Sequence, residues 1–207
     1  NAKEDVLYTQ NLSPHAKDPD NDPLTFTWVS GPSFITLEGS TLKGTPGLEN
    51  LGPQVVHVTI SDGFNPPVDG EIHFTVDHVN HAPYWEPSPI TLENAPEKVA
   101  YNFDISQYAF DKDKGEKETL KFSKLPGSAI WVNISADGKV TGTPGRANIG
   151  VNTFKVRAID TAGASADVTV TITIDKVNIP PVFKTPIPLG KATEDSPYTF
   201  DLKPFAT

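Results

Sequence analysis

FTVDHVNHAP, residues 74–83, returns as ITIDKVNIPP at 172–181, an offset of 98 positions (74 to 172). The same offset carries KGTPG (43–47) onto TGTPG (141–145) and ISDG (60–63) onto AIDTAG (158–163). Further upstream the offset is 93, which places Tyr8, Ala16, Asp18 and Asp20 on Tyr101, Ala109, Asp111 and Asp113. A longer acidic loop, DKDKGEKETLKF (111–122), and a longer turn near Asp137 and Gly138 absorb the difference. A third copy then opens: PPVF (180–183) echoes APYW (82–85), and ATEDSPYTF (192–200) echoes APEKVAYNF (95–103). Self-similarity at one spacing is the mark of a tandem array.

The repeated segments read as strands. VVHVTI (55–60), EIHFTV (71–76), FKVRAI (154–159) and DVTVTITI (167–174) alternate apolar with polar residues, one face to a core and one to water. On that register Val56, Val58, Ile60, Ile72, Phe74 and Val76 point inward, while His57, Thr59, His73 and Thr75 point outward. Twenty prolines and fifteen glycines in 207 residues supply turns between short strands, and no apolar period of 3.6 residues runs far enough for a helix. A unit of about 95 residues built this way has the size of an Ig-like sandwich. The expected fold is therefore all-β, with tandem Ig-like antiparallel β-sandwiches: residues 1–79 form one that lacks its first strand, 80–177 a complete one, and 178–207 the start of a third.

Composition narrows the partners. A formal charge of −9 repels nucleic acid and anionic membrane surfaces and favours cations. There is no cysteine, hence no disulfide and no thiolate metal site. No apolar run reaches the roughly 18 residues of a membrane span, so no membrane insertion is expected of this stretch. The absence of methionine reads as an internal piece of a longer protein, whose flanking domains are its neighbours.

Because the chain reverses at each turn, turns alternate between two poles of a sandwich. Tracing the second unit puts Asp111, Asp113 and Asp160 at the pole where the linker enters, and Glu97 and Asp175, with Asn178, at the other. The same trace of the first unit puts Glu4 and Asp77 at its lower pole. Glu4, Asp77, Asn80, Asp111, Asp113 and Asp160 are thus expected to meet at the seam, and Asp18, Asp20, Asp22 and Asp62 at the upper pole of unit one. Carboxylates gathered in this way repel one another unless a cation sits among them. An all-oxygen set suits Ca²⁺, which takes about 6 to 8 oxygens in flexible geometry. Only His78 and His81 lie near enough to add imidazole, so a transition metal is the weaker match.

These residues carry a family resemblance. The D-x-V-N-x-x-P linkers, the A-x-D-x-D pairs, the Asp after the penultimate strand and the G-T-P box resemble bacterial cadherin-like repeats of the dystroglycan-type and Ig-like group. The resemblance implies calcium between domains through Glu4, Asp77, Asp111, Asp113 and Asp160, with Glu97 and Asp175 serving the next junction. It also implies an extracellular setting, secreted or on a bacterial cell surface, and a non-catalytic role in adhesion or as a spacer. Against the cadherin linker D-x-N-D-N-x-P, Asn80 and Asn178 replace the second Asp, and Val79 and Val177 replace the first Asn. One or two ions per junction are expected.

The same residues admit other readings. Every acidic cluster recurs with the structural repeat and none has a nucleophile with a base beside it, which argues against an enzyme. Asp, Asn, Pro and Gly also simply make turns, but turn-making does not explain convergence on one pole. Trp28 and Trp131 read as core fillers, and the DKGEKE run (113–118) as a solvated loop. Tyr84 and Trp85 form either part of a first strand or an exposed platform for a glycan. The latter defines the alternative, a carbohydrate-binding accessory module of a secreted polysaccharide-degrading enzyme or an adhesin. A cell-surface protein is the other candidate ligand. The missing first strand and the spare segment at 179–207 also allow strand donation between chains.

Overall fold

The computed structural model describes residues 1–127, 129–183 and 187–205. The first unit contains β1 (Ala2–Lys3), β2 (Tyr8–Asn11), β3 (Thr25–Ser30), β4 (Ile35–Glu38), β5 (Thr41–Gly44), β6 (Gly52–Ser61) and β7 (Val68–Asp77). The second contains β8 (Tyr84–Trp85), β9 (Ile90–Thr91), β10 (Ala95–Pro96), β11 (Tyr101–Asp104), β12 (Ala109–Phe110), β13 (Lys121–Lys124), β14 (Val132–Ile134), β15 (Lys139–Gly142), β16 (Gly150–Ile159) and β17 (Ser165–Asp175). Helical turns are single 3₁₀ turns of three residues.

Each unit packs two sheets face to face. In the first, β1-β7-β6-β3 lies against β2-β5-β4. In the second, β10-β17-β16-β13 lies against β11-β15-β14, with β9 also paired to β17 and β8 to β12. The strands β1 to β7 therefore repeat as β10, β11, β13, β14, β15, β16 and β17. Among the described residues, β8, β9 and β12 have no counterpart strand in the first unit.

The period-2 pattern places the cores. Val56, Val58, Phe74 and Val76 are buried in the first unit with Ala2, Leu12, Ile35 and Leu42, and Ile60 and Ile72 are half-buried. Phe154, Val156, Ala158, Val168, Val170, Ile172 and Ile174 do the same in the second. The two buried sets share no residue, so each unit has its own core. Trp28 and Trp131 pack half-buried against these cores, and Trp131 donates its indole N–H to Asn152 Oδ1 at 3.1 Å.

The G-T-P box is a turn that both units build alike. Asn50 Oδ1 accepts the N–H of Gly47, and Asn148 Oδ1 that of Gly145, each at 2.8 Å. Behind them Gln54 and Asn152 donate side-chain N–H groups to the carbonyls of Asn50 and Asn148. The turn thus returns the chain into the long hairpins β6–β7 and β16–β17, whose far ends reach the acidic loops.

Candidate metal centre at the seam

The first strands deliver the glutamates. β1 pairs in parallel with the end of β7, Lys3 beside Asp77, and the chain continues with Glu4 donating its N–H to the Asp77 carbonyl at 3.0 Å. The second unit repeats this: Pro96 pairs with Asp175, and Glu97 donates to the Asp175 carbonyl at 2.9 Å. Glu4 Oε2 accepts the N–H of Val79 at 3.3 Å, and Glu97 Oε1 that of Val177 at 3.1 Å. Both glutamates are buried, at 2% and 0% exposure.

From the other side come the aspartates of the second unit. Asp111 Oδ1 accepts the N–H of Asp113 at 2.9 Å, an Asx turn that holds the two carboxylates close together. Asp160 sits past the end of β16, its Oδ1 accepting the N–H of Ala164 at 2.8 Å.

Residues 78–81 join the two groups. His78 Nδ1 lies 2.7 Å from Glu4 Oε2, and its Nε2 lies 3.6 Å from Asp113 Oδ2. Asn80 donates to Asp160 Oδ2 at 2.9 Å. His81 is held twice by Asp113, through its backbone N–H to Oδ2 at 2.8 Å and its ring Nδ1 to Oδ1 at 2.7 Å. Its other nitrogen, Nε2, lies 3.0 Å from Asp5 Oδ2.

Of the residues expected at this seam, Glu4, Asn80, Asp111, Asp113 and Asp160 are brought together by these contacts. Asp77 adjoins through its backbone, while its carboxylate takes the side-chain amide of Asn1 at 3.2 and 3.3 Å. Asp175 is held in the same way by Asn94. At the upper pole of unit one, Asp18 Oδ1 accepts the N–H groups of Asp20 and Asp22, and Asp62 those of Phe64 and Asn65. Asp18 and Asp62 line one shallow hollow of about 250 Å³. Asn178, next in sequence to the Val177 whose N–H Glu97 accepts, is exposed.

The electrostatics of the seam are uneven. Burial pushes the Asp111 carboxyl up, only partly offset by the Asp113 N–H, and the charges of Asp113 and Asp160 push it the same way. Burial pushes Asp113 up as well, but the hydrogen bonds from His81 outweigh it and hold the group below the ordinary range. His81 is raised in return, first by its bond to Asp113. Asp160 is lowered chiefly by Asn80. Asp62, far from the seam, is lowered to about 2 by the Asn65 and Phe64 N–H groups.

Asp111 Oδ2 and Glu97 Oε2 are buried with no hydrogen-bond partner. An orphaned carboxylate oxygen is costly, and a cation with oxygen ligands is the partner that suits it. The donor set of Glu4, Asp111, Asp113 and Asp160 fits a hard divalent ion on that ground.

The structure decides between two readings and adds three residues. Tyr84 and Trp85 do not form a joint surface platform. Trp85 is 7% exposed, packs edge-on against Phe122 and donates to the Ala166 carbonyl at 3.0 Å; only Tyr84, stacked on Phe110, keeps an exposed face. The reason is strand alternation: neighbours on β8 face opposite sides. Asp5 was not singled out by the sequence, and His78 and His81 only as nearby imidazoles. Their place inside the D-H-V-N-H linker was the available signal.

The two stacked-sheet units have the fold of cadherin-like, Ig-like β-sandwiches. Residues 83–175 match the family model described as "Putative Ig domain" (He_PIG), so this match covers the second unit. Mouse cadherin-23 EC22-24 superposes with a TM-score of 0.53 at 19% identity, covering 79% of this chain and 57% of that one. Human mucin-like protocadherin EC1-2 gives 0.53 at 16% identity, over 85% of this chain and 94% of that one. The endo-fucoidan hydrolase MfFcnA4 from glycoside hydrolase family 107 shares 25% identity over 86% of this chain at a TM-score of 0.43. The chain spans only 27% of that hydrolase's length. No curated protein matches the chain. Among the described residues, no helix is long and apolar enough to cross a membrane.

Proposed function

We propose that this region is a non-catalytic calcium-binding spacer in which Ca²⁺ at the seam stiffens consecutive sandwiches of an extracellular, multidomain protein. One observation carries the reading. Among the described residues the buried polar or charged side chains are Glu4, Glu97, Asp113 and Asp160, all carboxylates, three of them at the seam between the two units and Glu97 at the far pole of the second. A folded chain buries ionised carboxylates only where something compensates them. Calcium supplies the countercharge and shares oxygens from both units, which turns a repulsive joint into a stiff one. The flanking domains of the same chain are its first partners, and a cell-surface protein or glycan its outer one.

Occupancy would follow location. Extracellular calcium modules bind at about 10⁻⁴ to 10⁻³ M, so such a joint fills outside a cell and empties in cytosol. Free ion about 100-fold above its Kd adds about 2.7 kcal/mol to the bound form. The alternative, a carbohydrate-contacting accessory module of a secreted polysaccharide-degrading enzyme or adhesin, keeps only Tyr84 of the Tyr84–Trp85 pair as an exposed aromatic contact.

The test is a calcium titration read by melting and by small-angle scattering together. Calcium should raise the melting temperature and sharpen the interdomain distances, and chelation should reverse both. Asp111→Ala should remove the response and His57→Ala should keep it. A melting curve indifferent to millimolar calcium would end the proposal.

A further inference from the structure

The linker between the first two units carries chemistry that an oxygen-only ion does not use. Asp113 accepts both the backbone N–H and the ring Nδ1 of His81, at 2.8 and 2.7 Å. A carboxylate can only accept, so the Nδ1 atom carries a proton, and the Nε2 atom on the opposite side is left to take a second proton or a metal ion. Nε2 lies 3.0 Å from Asp5 Oδ2. Two acceptors at this distance repel unless a proton or a metal ion lies between them.

A ring nitrogen oriented by a carboxylate on its far side is how proteins prepare a histidine to bind a metal. The candidate donor atoms of Glu4, Asp5 and His81 all lie within 4.8 Å of one another. A tetrahedral ion with bonds of about 2.0 to 2.2 Å would hold them roughly 3.4 Å apart, so small side-chain rotations suffice. His78, its Nδ1 2.7 Å from Glu4 Oε2, steadies the third donor from behind.

The set is specific to this seam. At the next one, Lys98 stands where Asp5 does, Lys176 replaces His78 and Ile179 replaces His81. Glu4 and Glu97, Asp77 and Asp175, Asn80 and Asn178 remain unchanged between the two. The repeat alone therefore accounts for the oxygen donors and not for the imidazoles. Asp5 and Lys98 share a left-handed backbone, with φ of 55° and 62°, so the position is structural and its side chain is free to differ.

We propose that Glu4, Asp5 and His81, with Asp113 as the positioning residue, form a site for a borderline transition-metal ion such as Zn²⁺. A nitrogen with two carboxylates and one open position for water is a donor set zinc accepts and calcium does not favour. The site goes beyond the calcium reading and does not need it, sharing Glu4 as a donor and Asp113 as the residue that holds His81.

The experiment is isothermal titration of the 207-residue chain with Zn²⁺ in calcium-free buffer near pH 8, where ordinary imidazole is neutral. His57 and His73, which flank Glu71 on an outer face, are replaced by glutamine in every arm to keep them out of the readout. One zinc per chain is expected. His81→Gln and Asp5→Asn should weaken it by about tenfold or more, and Asp113→Asn should do so by releasing the ring. Asp160→Asn should leave zinc binding intact and weaken the calcium response, whereas His81→Gln should leave the calcium response intact. Absence of zinc uptake, or equal affinity in His81→Gln, would overturn the site whatever calcium does.

Discussion

At the scale of single residues, the G-T-P box shows how one missing atom is used. A Cβ on Gly142 would strike the Trp131 carbonyl oxygen, and one on Gly44 would strike that of Phe34. Neither obstacle is the end of a flexible side chain, so the backbone of β15 or β5 would have to move. Gly44→Ala and Gly142→Ala should each cost about 1–3 kcal/mol in urea unfolding. An unchanged midpoint would show that the turn yields freely. Glu97 offers the opposite test, because its Oε2 is buried without a partner. In calcium-free buffer Glu97→Gln should raise stability by about 1–2 kcal/mol, while removing whatever calcium adds at that pole. A loss of stability in calcium-free buffer would mean that the carboxylate already has a compensating charge.

At the scale of elements, the hairpin β16–β17 is the spine of the second unit. Phe154 on β16 is 1% exposed at the centre of the core. Phe154→Ala should cost about 3–5 kcal/mol, measured by the same unfolding experiment. Across the hairpin's outer face Arg157 and Asp167 are register partners, with guanidinium N–H groups donating to both carboxylate oxygens at 2.7 and 2.9 Å. The bond from Arg157 holds Asp167 below its ordinary value. A depressed carboxylate contributes above its unfolded value, near 3.8, and the contribution disappears as pH falls through the lower folded value. The pair is exposed, so its contribution is small. Asp167→Asn should therefore lower stability slightly at neutral pH and narrow its gap to the parent as pH falls below 4.

At the scale of the whole molecule, the seam sets the shape. Glu4 and Asp5 come from one unit, Asp111, Asp113 and Asp160 from the other, and the four residues 78–81 touch both. An ion shared at this point couples the orientation of two rigid cores through a short linker. Calcium should therefore narrow the distribution of interdomain distances more than it changes either core, a difference that scattering and hydrogen exchange separate. Protection gained throughout β6 and β16, rather than at the linker and loop ends, would place the effect in the cores instead.

Alternation in VVHVTI and DVTVTITI determined the all-β fold and the inward residues, because a strand with one wet face must write its period into the chain. The strand trace likewise gave an expected pole for each acid, since every turn of a sandwich reverses direction. Only the tertiary structure decided that Trp85 faces the core while Tyr84 does not, and that Asp77 turns to Asn1 rather than inward. It alone brought Asp5 to His81, 76 residues apart. Side-chain direction at a junction depends on how two units meet, and unrepeated residues such as Asp5 and His81 leave no period from which to read it.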